Sequence, residues 1–215
     1  MIEIILFGLT SFGVGLSGAI VPGPMLTVTI SDSVKKGPIV GPQVVLGHIM
    51  TEIMMMIVIL AGLGWIIGSK TAALIIGIGG GAVLIYMGYN ISVSSNKLYN
   101  TSNSTNTSEK SGIQHGSIFN GIITSLSNPY FFIWWASVGC AFMYKGLELA
   151  GIVGLLGFII GHWSADLSWY SMISFFSSHG SKIMNDRTYK IMMKACGIFL
   201  VILGIYFVIS VLNII

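Results

Sequence analysis

Charge is scarce in this chain: 8% of its 215 residues are Asp, Glu, Lys or Arg, against 54% that are hydrophobic. Soluble domains carry about 25% charged residues, because water must be met by groups that hold it. A chain with a mean hydropathy of +0.88 cannot cover itself that way, so its outside faces lipid. Cysteine is nearly absent. Cys140 and Cys196 stand alone inside apolar segments, which excludes a disulfide framework, a zinc ribbon and a CxxC thiol-disulfide carrier, and leaves two small buried hydrophobes. There is no GxSxG and no HExxH, so nothing marks an intramembrane enzyme, and no cofactor is expected. The net charge of +3 does not point to nucleic acid either. The cations lie singly or in pairs between apolar runs, with no basic face or interleaved aromatics.

What the chain does have is length in its apolar runs. About 20 apolar residues at 1.5 Å per residue cross the ~30 Å hydrocarbon layer. Six segments qualify, approximately Ile4–Ile30, Ile39–Ile67, Thr71–Val93, Ser117–Tyr144, Leu147–Phe176 and Tyr189–Asn213. The fold expected is therefore all-α, a polytopic membrane protein of six transmembrane helices. Glu3 follows Met1 where a cleavable signal would be basic, and the first run exceeds a signal's apolar region, so it is expected to stay in the mature chain. Residues 94–116 hold the Asn, Ser and Thr run Asn100–Ser108, which cannot bury apolar area and reads as a linker between two three-helix halves, 1–93 and 117–215.

The cations set the orientation. Lys35, Lys36, Lys97, Lys110, Lys182, Arg187, Lys190 and Lys194 fall on one side and Lys70 and Lys145 on the other. By the positive-inside rule the first group is cytoplasmic and both termini lie outside, in a multi-pass protein of the plasma membrane. The triplets Asn100-Thr-Ser and Asn103-Ser-Thr then face the cytoplasm and stay unglycosylated; finding them modified would invert this topology. Trp65 and Tyr144 suit the outer aromatic belt, Tyr86 and Tyr89 the inner one, and Trp134, Trp135, Trp163 and Trp169 are expected against lipid unless one walls a cavity.

The halves share a pattern. Gly47-His48-x-x-x-Glu52 recurs as Gly161-His162-x-x-x-Asp166, Gly81-x6-Gly88 as Gly197-x6-Gly204, and Pro22 as Pro129, at offsets of 114, 116 and 107 residues. Three helices are an odd number, so a repeat of this kind enters the membrane inverted, with a site near the midplane and alternating access between the halves. The plainer reading of the glycines is close helix packing, and that also explains Gly77, Gly79, Gly80 and Gly81, which lack the strand and Gly-Lys-Ser of a phosphate loop.

Among seven acidic residues, Glu52 and Asp166 lie deep, about nine or more residues from either end of a span and so at least ~13 Å along its axis. A charge at helix centre costs about 2.5–3.5 kcal/mol on insertion scales. A carboxylate can avoid that cost by taking up a proton, which makes it a group able to exchange one. Each acid has a histidine four residues earlier on the same helical face: His48 beside Glu52, His162 beside Asp166. The pairs read either as proton or ammonium sites facing the bundle interior or as hydrogen-bonded clips between helices; their duplication favours function. Pro22-Gly23-Pro24 removes two backbone donors, and Asn128-Pro129 breaks the fourth span. Broken helices of this kind commonly hold the solute in transporters.

The Pro-Gly-Pro of the first span, the Asn-Pro of the fourth and six spans divided by a polar loop resemble the LysE/RhtB-type amino-acid exporters, along essentially the whole chain. Tyr130 stands where that family commonly has Lys, and the Gly-His-x-x-x-acid pairs place the chain in a divergent branch of the superfamily. The resemblance implies a secondary transporter exporting amino acids or related small molecules, driven by protons. The residues themselves call for a site of His48, Glu52, His162 and Asp166 flanked by Pro22, Gly23, Pro24, Asn128 and Pro129. Two imidazoles and two carboxylates would equally suit a divalent heavy-metal cation. The partners expected are that small solute, protons and lipid; monomer and homodimer are both open.

Overall fold

The computed structural model describes residues 2–63, 70–101, 116–183 and 186–212. Helices account for nearly all of them, and no strand occurs among the described residues. In chain order they are α1 (Ile2–Ala19), α2 (Pro24–Lys36), α3 (Val40–Leu60), α4 (Lys70–Thr101), α5 (Ser117–Leu126), α6 (Pro129–Trp134), a π-helical turn (Trp135–Gly139), α7 (Cys140–Ile183) and α8 (Asp186–Leu212). Exposed Ile, Leu, Val and Phe side chains cover the outside, as a lipid-facing surface requires. The chain is an all-α polytopic membrane protein.

Both proline sites break a span. α1 ends at Ala19, the chain runs extended through Gly23 (φ −150°, ψ −175°), and α2 restarts with Pro24 at its first position. Proline fits there because the first-turn amides have no intrahelical acceptor. α6 restarts the same way at Pro129, where Asn128 caps the helix by accepting from the Tyr130 amide at 3.1 Å.

α7 is two arms rather than one rod. Ala150 and Gly151 leave helical geometry (Gly151 φ +58°), and the Gly146 and Gly154 backbones touch. Eight residues apart on a straight helix they would be separated by about 12 Å, so the chain turns back here. The apolar run Pro129–Gly180 therefore supplies two passes, and the described helices make six. α3 stops at Leu60, short of the expected Ile67, and α4 continues to Thr101, past the expected Val93. Trp65 and most of the Asn-rich linker lie outside the described residues.

Glycines set the helix seams. In α4 and α8, Gly81 faces the Gly204 carbonyl and Gly204 faces that of Gly81; Gly88 and Gly197 do likewise. One number rises as the other falls, so the helices are antiparallel, and a Cβ at any of the four would strike backbone. α1 lies parallel to the second arm of α7, with Gly8 against Gly157 and Gly161, Ser11 donating to the Phe158 carbonyl at 2.7 Å, and Gly15 against His162 and Ala165. α3 packs on α5 through Gly47 and Gly121. α2 sits inside this frame, packed by α3, α5, α7 and α8.

Candidate functional site

α3 and the second arm of α7 bring the two histidine–acid pairs face to face. On each helix the i, i+4 spacing stacks the imidazole over the carboxylate. His162 Nε2 lies 2.8 Å from Glu52 Oε1 and His48 Nε2 lies 3.2 Å from the same oxygen. The contacts to Asp166 are longer: 3.6 Å from His162 Nε2 and 3.8 Å from His48 Nε2 to Oδ2. Glu52 is 1% exposed, Asp166 4% and His162 5%. The four groups thus form one cluster, in which His48 alone is only partly buried.

Ser125 ties His48 to α5: its Oγ lies 2.7 Å from the Gly121 carbonyl and 2.7 Å from His48 Nδ1. The hydroxyl has one hydrogen to give. Donated to the carbonyl, it leaves the ring to donate Nδ1–H, and His48 then bonds Glu52 as well only as imidazolium; donated to Nδ1, it leaves a neutral ring with Nε2–H for Glu52. Glu52 Oε2, Asp166 Oδ2 and His162 Nδ1 are buried without a hydrogen-bond partner. Such atoms are expensive in a packed core and are commonly kept for a ligand or a reaction.

The cluster borders a cavity of about 400 Å³. Pro22, Gly23 and Pro24 from the first break and Asn128 from the second line it together with His48, Glu52, His162 and Asp166. Pro129 is not among the lining residues; it starts α6 just behind them. Gly23 gives α2 no side-chain cap, so the first-turn amides of α2, which have no intrahelical acceptor, lie at the cavity wall with the positive end of the helix dipole.

Trp134 and Trp135 belong to this cavity as well. Trp134 stacks on His162 (centroids 4.7 Å apart, planes at 20°) and Trp135 meets it edge-on at 6.0 Å. Phe158, one turn before His162, also stacks on it at 5.8 Å. The π turn begins at Trp135, and Gly139 leaves the room that both indoles occupy. Sequence places Trp134, Trp135, Trp163 and Trp169 against lipid unless one walls a cavity, and Trp134 and Trp135 do so. The only clue in the chain was the glycine four residues after Trp135. Ser125 and Tyr170, which also line the cavity, were not singled out; no local pattern connects Ser125 to a histidine 77 residues away.

Residues 16–211 match the LysE type translocator family. The chain belongs to the LysE type translocator family. No curated protein and no solved structure matches it. Membership makes the chain a transporter of small molecules, and the match covers both helix breaks and both histidine–acid pairs.

Proposed function

We propose that this protein is a proton-coupled secondary transporter that exports amino acids or closely related small zwitterions. The observation that carries the reading is the convergence of two imidazoles, two carboxylates and two broken helices on one cavity of about 400 Å³. Its walls are complementary to a zwitterion. Asp166 keeps a carboxylate oxygen without a hydrogen-bond partner for an ammonium group, and the uncapped N-terminus of α2 offers amides to a carboxylate. The aromatic wall of Trp134, Trp135 and Phe131 leaves room for an apolar side chain.

In this mechanism Glu52, Asp166, His48 and His162 pass one proton among them while the cavity is exposed first to one side and then to the other. Solute binding at Asp166 displaces the proton, and its return resets the site. Two inverted repeats would supply the motion. Three pairings support that arrangement: the first span packs on the fifth, the fourth on the second, and the third and sixth meet through reciprocal glycines. The side bearing Lys35 and Lys36 is taken as cytoplasmic in the plasma membrane, with both termini outside.

One observation favours a second reading, export of a divalent cation such as zinc. Ligand atoms of His48, Glu52 and Asp166 lie within 4.8 Å of one another. The four imidazole–carboxylate separations, 2.8, 3.2, 3.6 and 3.8 Å, bracket the edge of about 3.4 Å in a tetrahedron with ~2.1 Å metal–ligand bonds.

Proteoliposomes loaded with labelled amino acids, or with zinc, cadmium or nickel, separate the two under an imposed pH gradient. Uphill movement of amino acids that collapses the gradient is expected. Movement of metal alone, abolished by His48→Ala and His162→Ala, would replace the first reading with the second. No movement of either would refute both.

A further inference from the structure

α2 is the least apolar of the buried helices, although it lies inside a membrane protein. Thr27, Thr29, Ser31, Asp32 and Ser33 are all buried, and they point around the helix rather than along one face. Their polarity is not needed for packing. Thr27, Thr29 and Ser31 donate to carbonyls of their own helix, those of Gly23, Met25 and Val28, bonds that Val or Ala would dispense with at no loss of volume.

One end of α2 begins at the cavity. The other end, beyond Thr29, is closed by two ties. Asp32 Oδ2 accepts from Lys36 Nζ and from Asn120 Nδ2, both at 2.9 Å. Asp32 belongs to the first half of the chain and Asn120 to the second, so the bond joins halves that must separate if the cavity is to open on that side. Thr124, one turn along α5 from Asn120, lines the cavity; the tie therefore stands between the cavity and the end bearing Lys36. Ser174 of α7 completes the closure, donating to the Pro38 carbonyl at 2.8 Å while accepting from the Gly41 amide at 3.0 Å and lying 2.8 Å from Ser33 Oγ.

We propose that the seam between α2 and α5 is the closed half of the translocation path, and that the Asp32–Asn120 hydrogen bond is its latch. This rests on the chain being a transporter, but neither on the solute nor on proton coupling. Asp32 and Asn120 are positioning residues: they hold the state with the Lys36 side shut. Releasing the bond shifts the population toward the state open on that side without altering the cavity's own chemistry.

The test is sided thiol labelling of the full-length protein in proteoliposomes. Cys140 and Cys196 are replaced by Ala, and Thr124→Cys serves as reporter. A membrane-impermeant maleimide applied from the side of Lys36 should label it slowly. Asn120→Ala should raise that rate about tenfold or more, the scale of a buried hydrogen bond to a carboxylate, with no change at Ile39→Cys, an exposed control on the Lys36 side. Asn120→Ser is the milder variant if the alanine protein does not reach the membrane. An unchanged rate, or fast labelling before the latch is broken, overturns the proposal; so does an equal rise at Ile39→Cys, which reports general loosening. If solute fails to move in the gradient assay while labelling responds, only the coupling reading falls. If transport is coupled and labelling does not respond, only the latch falls.

Discussion

Replacing each intramembrane acid with its neutral isostere should separate coupling from stability. Glu52→Gln and Asp166→Asn keep the shape of the site and remove its charge. Glu52 Oε1 accepts two hydrogen bonds, at 2.8 and 3.2 Å, in a fully buried setting. A bond involving a charged group contributes about 1.5–3 kcal/mol and a neutral one about 0.5–1.5 kcal/mol. Neutralising Glu52 therefore sacrifices about 1–1.5 kcal/mol per bond, or about 2–3 kcal/mol for the two. At roughly 2–4 °C per kcal/mol for a chain of this size, the apparent Tm should fall by about 4–12 °C. Asp166 is different: its nearest imidazole nitrogens are 3.6 and 3.8 Å away, beyond hydrogen-bonding range. Asp166→Asn should shift Tm by no more than about a quarter as much. Both variants should lose uphill transport. Thermal unfolding in nanodiscs, followed by tryptophan fluorescence and paired with gradient-driven flux in proteoliposomes, measures both. Equal destabilisation by the two variants would refute the reading of Asp166 as the loosely held acid. Uphill flux retained in either would refute its role in coupling.

Two further outcomes follow from single contacts. Ser125→Ala leaves His48 Nδ1 without its hydrogen-bond partner; the orphaned nitrogen should cost about 1–3 kcal/mol, and gradient-driven flux should fall at least several-fold while Ser125→Thr retains most of it. Gly88→Ala places a methyl against the Gly197 backbone and Val201, whereas Gly79→Ala meets open space; the first should lower stability by about 1–3 kcal/mol and the second should leave it unchanged or raised, compared by melting temperature.

What the sequence disclosed about this fold was what local chemistry decides. The six passes follow from run length. The breaks at Pro22–Pro24 and Asn128 follow from missing amide donors, and the stacking of each histidine on its acid follows from the helical period. Contacts between distant segments were harder to see. That His162 reaches Glu52 rather than its own Asp166 depends on how α7 lies against α3, which no spacing encodes. The inward turn of Trp134 and Trp135 depends on a π turn that changes the helix register. Asp32 lies two residues past the expected end of the first span at Ile30, and no local pattern there signals a partner. In the structure Asn120 comes down on it from the other half and closes it off.

The two Gly-His-x-x-x-acid motifs have the same spacing, yet one ends in Glu and the other in Asp, and that single methylene separates their tasks. Helical spacing places both acids one turn from their histidines. The longer Glu52 side chain spans the gap between helices and accepts from both rings. The shorter Asp166 stops about 0.6–0.8 Å further from each ring, outside hydrogen-bonding range. A fully symmetric pair would either bind all its protons in mutual bonds, leaving nothing for a solute, or bind none of them and leave two uncompensated charges in the core. With one acid committed and one held back, Glu52 is tied to both rings and Asp166 keeps an unpartnered oxygen at the cavity. Under the proposed mechanism the repeat supplies the geometry, and its departure from symmetry supplies the exchangeable site.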